Sequence, residues 1–291
     1  MQTFSPITIS CFKAYDIRGE LGVTLDEPIS YRIARAFAQI LKTNNTTKRP
    51  TIVIGSDIRP SSHSLKLAAI EGITDAGVDV IDLGMTGTEE VYFATSHYQA
   101  IGGIEVTASH NPINYNGLKM VRENSRPISA DTGLAEVRVL AESGNFIQSK
   151  KGSITQNTDK TAYIDKLMSF VDTARFTPKK IVVNSGNGSA GPVVDELERR
   201  LGDDIELIKV HHTPDGSFPN GIPNPMIIAN QAATRDAVIA HKADFGVAFD
   251  GDFDRCFLFD ENGRFIDGSY VVGMLAAAFL QKYPKQTIVY D

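Results

Sequence analysis

The chain has 291 residues, 42% of them hydrophobic and 22% charged, with a formal net charge of −6. This composition is typical of a globular protein with room for two ordinary domains, and its acidic balance disfavours a nucleic-acid surface. No apolar run reaches the roughly 20 residues of a membrane helix, and the first residues do not resemble a secretory signal. Because Cys11 and Cys256 show neither zinc spacing nor a disulfide framework, we expect reduced thiols in a cytoplasmic protein.

Helical and strand-like segments alternate through the first part of the chain. The segments are predicted helices over 29–42, 62–76 and 89–98, and predicted strands over 51–54, 78–83 and 103–108. Strands that alternate with helices are typical of crossover units in a largely parallel sheet. We therefore predict an α/β fold, with consecutive domains that each contain a mixed, mostly parallel sheet flanked by helices.

The same alternation begins again near residue 160. Its segments are predicted helices over 162–171, around 194–201 and over 231–242, predicted strands over 180–184, 206–210 and 245–249, and a hairpin that turns at 262–263. A third start follows, with an apolar helix over 268–283 and a strand-like run over 287–291.

These restarts predict the division of the chain into domains. We expect a first domain over 1–150, a second over 155–263 and the start of a third over 264–291, with linkers at 148–159 and near Gly263. One helix and one short strand are too little to bury a third core. We therefore expect the chain to lack the rest of a larger parent, or to dock these residues on a partner.

Three aspartates lie at alternate positions in the loop that follows the strand over 245–249. Asp250, Asp252 and Asp254 would repel one another strongly unless a cation lay between them. Hard carboxylate oxygens suit Mg²⁺ or Ca²⁺ better than Zn²⁺. An EF-hand is excluded because its loop requires Gly at the sixth position, where this chain has Arg255. A solvated acidic turn is the simpler alternative, but the carboxyl end of a buried strand is where α/β sheets place their sites.

A second polar loop follows the strand over 103–108 and contains Ser109, His110 and Asn111. The Ser109 hydroxyl should project into the cleft above the sheet, and His110 could act on a proton. A Ser-His-Asp triad is disfavoured, because adjacent serine and histidine side chains do not readily reach hydrogen-bond geometry and no partner acid is evident.

The two loops together predict more than either one alone. A phosphate on Ser109 would supply an anionic ligand for a Mg²⁺ ion held by the three aspartates, and the metal would neutralise charge during phosphoryl transfer. The cations expected near the same phosphate are Arg255, Arg18 and Lys119. Asp57 and Arg59 also follow a strand, but we interpret them as structural.

These segments resemble the motifs of the α-D-phosphohexomutase family, most closely those of its bacterial phosphomannomutase branch. The matching segments are the first motif at 15–19, the phosphoserine loop at 107–112, the segment at 114–119, the run at 213–225 and the metal loop at 250–255. The resemblance extends over nearly the whole chain.

The resemblance implies a reaction. Family members carry a phosphate on the serine, give it to a hexose phosphate and form a hexose 1,6-bisphosphate, so that phosphate moves between C6 and C1. Here the sugar would be mannose or glucose, the cofactor Mg²⁺, and the pathway the biosynthesis of GDP-mannose. By motif, the residues that the resemblance assigns are Ser109 as phosphoryl carrier and metal ligand, Asp250, Asp252 and Asp254 as metal ligands, Arg18 and Arg255 as phosphate contacts, Lys119 and His110 as proton-handling groups, and Tyr15 and Asn111 as further site residues.

The chain departs from the family pattern in one respect. The family has four domains, and the loops that grip the sugar hydroxyls and the distal phosphate belong to its third and fourth domains. We therefore expect this polypeptide to bind Mg²⁺ but to turn over poorly or not at all by itself. Two alternatives stay open: a metal-dependent phosphatase that attacks with Asp250 or Asp252, and a catalytically silent binding or assembly module. Oligomeric state is not indicated by the sequence.

Overall fold

The first sheet of the computed structural model, which describes residues 4–289, contains six strands. They are β1 (Ile17–Glu20), β2 (Thr51–Ser56), β3 (Asp79–Met85), β4 (Gly102–Val106), β5 (Tyr115–Arg122) and β6 (Ile154–Gln156). Their order across the sheet is β1-β5-β4-β2-β3-β6. β2 pairs in parallel with β3 and β4, and β3 with β6, whereas β5 is antiparallel to β1 and β4. The sheet is mixed, as predicted.

Four helices flank this sheet. They are α1 (Glu27–Thr43), α2 (Pro60–Asp75), α3 (Thr88–His97) and α4 (Leu134–Ser143). α1 begins where the Asp26 carboxylate accepts a hydrogen bond from the Ile29 N–H, which satisfies one of the free amides of the first turn. α1 and α2 pack closely because position 72 is glycine, where a Cβ atom would lie 2.3 Å from the Tyr31 carbonyl oxygen. The apolar face of α1 thereby joins the main core.

The second sheet has five strands and again a mixed arrangement. They are β7 (Lys179–Asn184), β8 (Ile205–Val210), β9 (Phe245–Phe249), β10 (Cys256–Phe259) and β11 (Phe265–Ile266), in the order β11-β10-β9-β7-β8. The helices beside it are α5 (Thr161–Met168), α6 (Gly191–Leu201) and α7 (Ala232–His241). β7 pairs in parallel with β8 on one side and β9 on the other, so the chain reverses its winding between β7 and β9. This switch point is where open α/β sheets leave a crevice, and the aspartate loop begins there.

The structure differs from the predicted linker at 148–159. Residues 154–156 form β6, which pairs in parallel with β3 at the edge of the first sheet. All three residues of β6 are exposed, and β6 is held by main-chain hydrogen bonds rather than by buried side chains. An edge strand of this kind leaves no hydrophobic alternation in the sequence, so the pattern did not predict it.

The last described helix is α8 (Gly268–Lys282), which begins at the Asp267 cap. Most of its large apolar side chains are exposed, and within the described part of the chain none of its residues is buried. The strand predicted over 287–291 is not formed by residues 287–289, and residues 290 and 291 lie outside the described range. Among the helices of residues 4–289, none combines the length and the hydropathy needed to cross a membrane.

Candidate active site

The serine loop and the aspartate loop touch each other. The Ser109 hydroxyl donates a hydrogen bond to Asp250 Oδ2 at 2.7 Å, and both side chains are buried. The approach is possible because position 251 is glycine, where a Cβ atom would lie only 2.6 Å from the Ser109 carbonyl oxygen. A loop after β4 and a loop after β9 therefore form one polar site between the two sheets.

Ser109 has an unusual backbone conformation. Its φ of 51° lies in the left-handed region that residues with a Cβ atom rarely adopt. Its N–H donates to Thr107 Oγ1 at 2.8 Å, and its carbonyl oxygen accepts from Arg59 Nη2 at 2.9 Å. Strain of this kind persists only where the surroundings fix the backbone, and here buried groups hold both neighbouring peptide bonds.

The three aspartates present oxygen atoms that lie within 4.8 Å of one another. Asp250 and Asp252 are buried, and the Asp254 side chain is 22% exposed. Among residues 4–289, nothing donates a hydrogen bond to Asp252 Oδ1 or Asp254 Oδ1. Buried oxygens are costly without a partner, and a hard divalent cation would satisfy them. The donor set therefore fits a hard divalent cation.

The acids of this cluster differ in their protonation. Burial, and then the charges of Asp252 and Asp254, raise the pKa of Asp250 to about 7. Burial also acts to raise the pKa of Asp252, but the Lys119 ammonium and its hydrogen bond lower that pKa below its ordinary value. Within one loop, the surroundings therefore raise the pKa of Asp250 and lower that of Asp252.

Lys119 extends from β5 into the aspartate cluster. Its Nζ donates to Asp252 Oδ2 and Asp254 Oδ2, both at 2.6 Å, and to Thr88 Oγ1 at 3.1 Å. Burial acts to lower the pKa of Lys119, but attraction to the two carboxylates outweighs it and raises the pKa above its ordinary value. A fixed positive charge therefore neutralises part of the cluster.

Arg255 and His110 lie on the other side of Ser109. Arg255 Nη2 donates to Ser109 Oγ at 3.2 Å and to His110 Nδ1 at 2.7 Å, and its Nε lies 3.4 Å from Asp250 Oδ2. A guanidinium only donates, so His110 Nδ1 accepts and the ring is neutral with its proton on Nε2. Burial, then Arg255 and Arg18, lower the pKa of His110 in agreement with that state.

The expectation that Ser109 and His110 do not reach hydrogen-bond geometry is wrong. His110 Nδ1 lies 3.1 Å from Ser109 Oγ. The left-handed backbone at Ser109 turns the chain between the two residues, and this conformation is not readable from the residue types. The acid next to the hydroxyl is Asp250, which contacts the serine rather than the histidine, so no relay of the triad type is formed.

Three further predicted residues make no hydrogen bond to Ser109 or to the three aspartates. Arg18, on β1, forms an ion pair with Asp16 at 2.7 Å, although it lies close enough to lower the pKa of His110. Tyr15 is 75% exposed. Asn111 uses its side-chain amide to donate to the Ala108 carbonyl oxygen at 2.8 Å, which closes the turn.

Thr88 also contacts the aspartate loop, and the sequence patterns did not indicate it. It is the first residue of α3, and its hydroxyl donates to Asp252 Oδ2 at 2.7 Å while its N–H donates to the Asp252 carbonyl oxygen at 3.2 Å. At the preceding glycine, Gly87, a Cβ atom would lie 2.5 Å from that same carbonyl oxygen. A Gly-Thr pair at a predicted helix start is the available signal, but its partner is 164 residues away.

Comparison with known proteins places this geometry in context. The family model described as "Phosphoglucomutase/phosphomannomutase, alpha/beta/alpha domain I" matches residues 10–146, and the corresponding model for domain II matches residues 161–263. The phosphomannomutase of Escherichia coli strain K12 is 57% identical over 289 residues, which cover 97% of this chain and 62% of the relative. The chain therefore spans about three-fifths of that relative's length.

More distant relatives agree with this result. A protein from Xanthomonas campestris that bears the name "Phosphohexose mutases" is 49% identical over 286 residues, which cover 98% of this chain and 62% of the relative. The crystal structure of a phosphoglucomutase/phosphomannomutase family protein from Burkholderia thailandensis superimposes with a TM-score of 0.86 at 33% identity, over 96% of this chain and 60% of that one.

Proposed function

Because the chain belongs to the phosphoglucomutase/phosphomannomutase family, the α-D-phosphohexomutases, we propose that it carries the phosphoryl-transfer half of a phosphomannomutase. The reaction is the Mg²⁺-dependent, reversible movement of phosphate between C6 and C1 of mannose, through a phosphate on Ser109 and a hexose 1,6-bisphosphate. One observation carries the proposal: the buried 2.7 Å contact between Ser109 Oγ and Asp250 Oδ2, inside a cluster of three aspartates. The choice of mannose, and with it a place in GDP-mannose biosynthesis, rests on the relatives that bear the name phosphomannomutase.

We also propose a division of labour along the chain. The unit around the first sheet supplies the nucleophile, the unit around the second sheet supplies the metal ligands up to about residue 263, and α8 begins a third unit. The pairing of β6 with β3 supports a first unit that extends to Gln156, beyond the predicted residue 150. The family resemblance assigns the sugar-gripping loops to later domains of the family.

In the proposed reaction, Asp250, Asp252 and Asp254 would hold Mg²⁺, which would withdraw negative charge from the phosphoryl group on Ser109. Arg255 already donates to Ser109 Oγ and would bind a phosphate oxygen at the same place. Lys119 would hold its positive charge beside the trio, and Arg18 would approach the phosphate from β1. These cations are fixed before the substrate arrives, which is the condition for electrostatic stabilisation of the transition state.

The proton transfers in this reaction follow from the bonds that form and break. When a bisphosphate phosphorylates the enzyme, the Ser109 Oγ–P bond forms, the sugar O–P bond breaks, the hydroxyl proton leaves Ser109 and the sugar oxygen gains a proton. His110 Nδ1, 3.1 Å from Ser109 Oγ, is the nitrogen nearest to the first of these protons. Lys119 would donate the proton that the sugar oxygen gains. The reverse transfer uses the same groups in the opposite order.

Intact-mass spectrometry tests this proposal. The protein is incubated with glucose 1,6-bisphosphate or mannose 1,6-bisphosphate and Mg²⁺, and the expected result is one added phosphoryl group that peptide mapping places on Ser109. Ser109→Ala should take up none, and Ser125→Ala, at a serine outside the site, is the control. Phosphate on Asp250 or Asp252 would instead indicate the phosphatase.

A coupled assay separates the mutase from a silent module. It follows conversion of mannose 1-phosphate to mannose 6-phosphate with and without the carboxyl-terminal part of a full-length relative added in trans. Turnover in the mixture supports the mutase, whereas absence of turnover in both samples, together with absence of label on Ser109, would indicate a binding or assembly module.

A further inference from the structure

The segment 213–225 follows β8 and reaches across to the first sheet. We call it the strap. At Gly216 a Cβ atom would lie 2.3 Å from the Ile58 carbonyl oxygen, so the strap lies directly on the backbone that follows β2. Two residues later Phe218 is buried, with its ring 5.6 Å from the Arg59 guanidinium carbon. Phe218 has a φ of 47°, which is rare for a bulky residue. Such a strained conformation persists only where the surrounding structure fixes it.

Arg59, the residue that the strap covers, is buried and holds the serine loop. Its Nη2 donates to the carbonyl oxygens of Ser109 at 2.9 Å and Asn111 at 2.6 Å, and its Nη1 donates to that of Pro112 at 2.9 Å. One guanidinium thus fixes three carbonyl groups of a single turn. A lysine could not reproduce this fork of donors.

Asp57 completes the arrangement from the other side of Ser109. Asp57 Oδ2 accepts from Thr107 Oγ1 at 2.7 Å, and Thr107 Oγ1 accepts from the Ser109 N–H at 2.8 Å. The same carboxylate oxygen lies 3.4 Å from Arg59 Nε. The Asp57–Arg59 pair therefore fixes the N–H and the C=O of Ser109 together, which determines the direction of its side chain toward Asp250.

We propose that Arg59 and Phe218 are positioning residues for the phosphoryl carrier. The strap holds the guanidinium, the guanidinium and Asp57 hold the left-handed turn, and the turn aims Ser109 Oγ at the aspartate cluster. The inference rests on the proposed function and adds a role for the second unit: its strap orders the nucleophile that the first unit carries. Reactions depend steeply on such alignment, since a displacement of about 1 Å can cost roughly 100-fold in rate.

The test compares Phe218→Leu and Arg59→Lys with Phe170→Leu, a change at an exposed phenylalanine. The rate of Ser109 phosphorylation by glucose 1,6-bisphosphate is measured by quenched intact-mass analysis over a range of donor concentrations. We expect the maximal rate to fall by about 10- to 100-fold in both variants. The donor concentration for half-maximal rate and the Mg²⁺ affinity should stay within about twofold, and Phe218→Tyr should restore most of the rate because it keeps the ring.

A second readout does not depend on the reaction. Hydrogen exchange of the peptide that contains residues 107–115, measured in the absence of sugar, should become about tenfold faster in both variants while exchange in β7 stays unchanged. Gly216→Ala should have the same effect, because its methyl group would meet the Ile58 carbonyl oxygen and lift the strap. The matched control is Gly273→Ala, where an added Cβ meets no atom of the described chain within 4 Å.

The outcomes separate the two ideas. If the wild type accepts no phosphate on Ser109, the proposed function fails, and the exchange measurement alone decides the positioning role. Variants that lower the unfolding temperature but keep the wild-type rate and the wild-type exchange of 107–115 would overturn the inference, since Arg59 and Phe218 would then contribute only to stability.

Discussion

Ser109 and Asp250 are 141 positions apart in the sequence, yet the hydroxyl of one donates to the carboxylate of the other at 2.7 Å in a buried site. Ser109 follows β4 of the first sheet, and Asp250 follows β9 of the second. Each loop lies at the carboxyl end of its strand. The two α/β units therefore face each other through the carboxyl ends of their sheets. A serine hydroxyl and a cluster of three carboxylates become neighbours through this arrangement.

Gly251, which lies at the contact between the two loops, should be essential for phosphoryl transfer to Ser109. In Gly251→Ala the new methyl group would lie 2.6 Å from the Ser109 carbonyl oxygen, and a backbone atom cannot rotate away as a side chain can. We expect the rate of Ser109 phosphorylation to fall by about 100-fold as the loops separate. Gly268→Ala is the control, because a Cβ there meets nothing in the described chain within 4 Å. An unchanged rate in Gly251→Ala would contradict the close approach of the loops.

Removal of the Lys119 charge should change metal binding and transfer in opposite directions. The ammonium competes with a divalent cation for Asp252 Oδ2 and Asp254 Oδ2. Lys119→Gln should therefore raise Mg²⁺ affinity by about three- to tenfold in calorimetric titrations while it lowers the phosphorylation rate. Lys209→Gln is a matched control, since Lys209 also bridges two carboxylates, but at a distance from the site. Weaker Mg²⁺ binding by Lys119→Gln would mean that the lysine supports the metal instead.

A single neutral substitution in the cluster should impair metal binding. Asp252 is fully buried, and one of its oxygens accepts no hydrogen bond from the described residues. Asp252→Asn keeps the shape and removes the charge, so we expect Mg²⁺ affinity to fall by about 100-fold. Asp236→Asn changes an exposed aspartate on α7 and should leave the affinity unaltered. Equal affinities in the two variants would show that the cation binds elsewhere.

Glu105 should make stability depend on pH. It lies fully buried on β4, accepts a hydrogen bond from Thr86 Oγ1 at 2.6 Å, and burial raises its pKa well above the ordinary value. A raised pKa means that the folded protein binds the proton more tightly than the unfolded chain does. The contribution of Glu105 to stability is therefore greatest below the ordinary glutamate pKa and is lost as pH rises through the folded-state pKa.

Glu105→Gln removes this dependence. Its free energy of unfolding should increase relative to wild type by up to about 1.4 kcal/mol per pH unit above pH 5, until the folded-state pKa is passed. Urea titrations at pH 5, 6, 7 and 8 measure the difference, with Glu136→Gln on the exposed side of α4 as the control. A constant difference across this range would contradict a protonated Glu105 in the folded protein.

The sequence was sufficient for the parts of the site that follow local rules. The loops with Ser109 and Asp250 could be placed because each follows a strand with a clear apolar pattern. Thr88 could not be found, because its bond to Asp252 depends on how two units pack. The contact between Ser109 and His110 was wrongly disfavoured, since left-handed φ at a serine has no sequence signal.

The roles of Asp57 and Arg59 illustrate the same limit. From the sequence we interpreted both as structural, and their bonds are indeed to backbone groups and to Thr107. The sequence does not show that the backbone these two side chains hold is that of Ser109. That knowledge requires the register between β2 and β4, where Ser56 pairs with Val106.

The most direct measurement is a crystal structure of the phosphorylated protein grown with Mn²⁺, with anomalous scattering used to locate the cation. We expect one anomalous peak, from a cation bound by carboxylate oxygens of Asp250, Asp252 and Asp254 and by an oxygen of a phosphate on Ser109. A cation that binds away from this trio, or a phosphate on any residue other than Ser109, would contradict it.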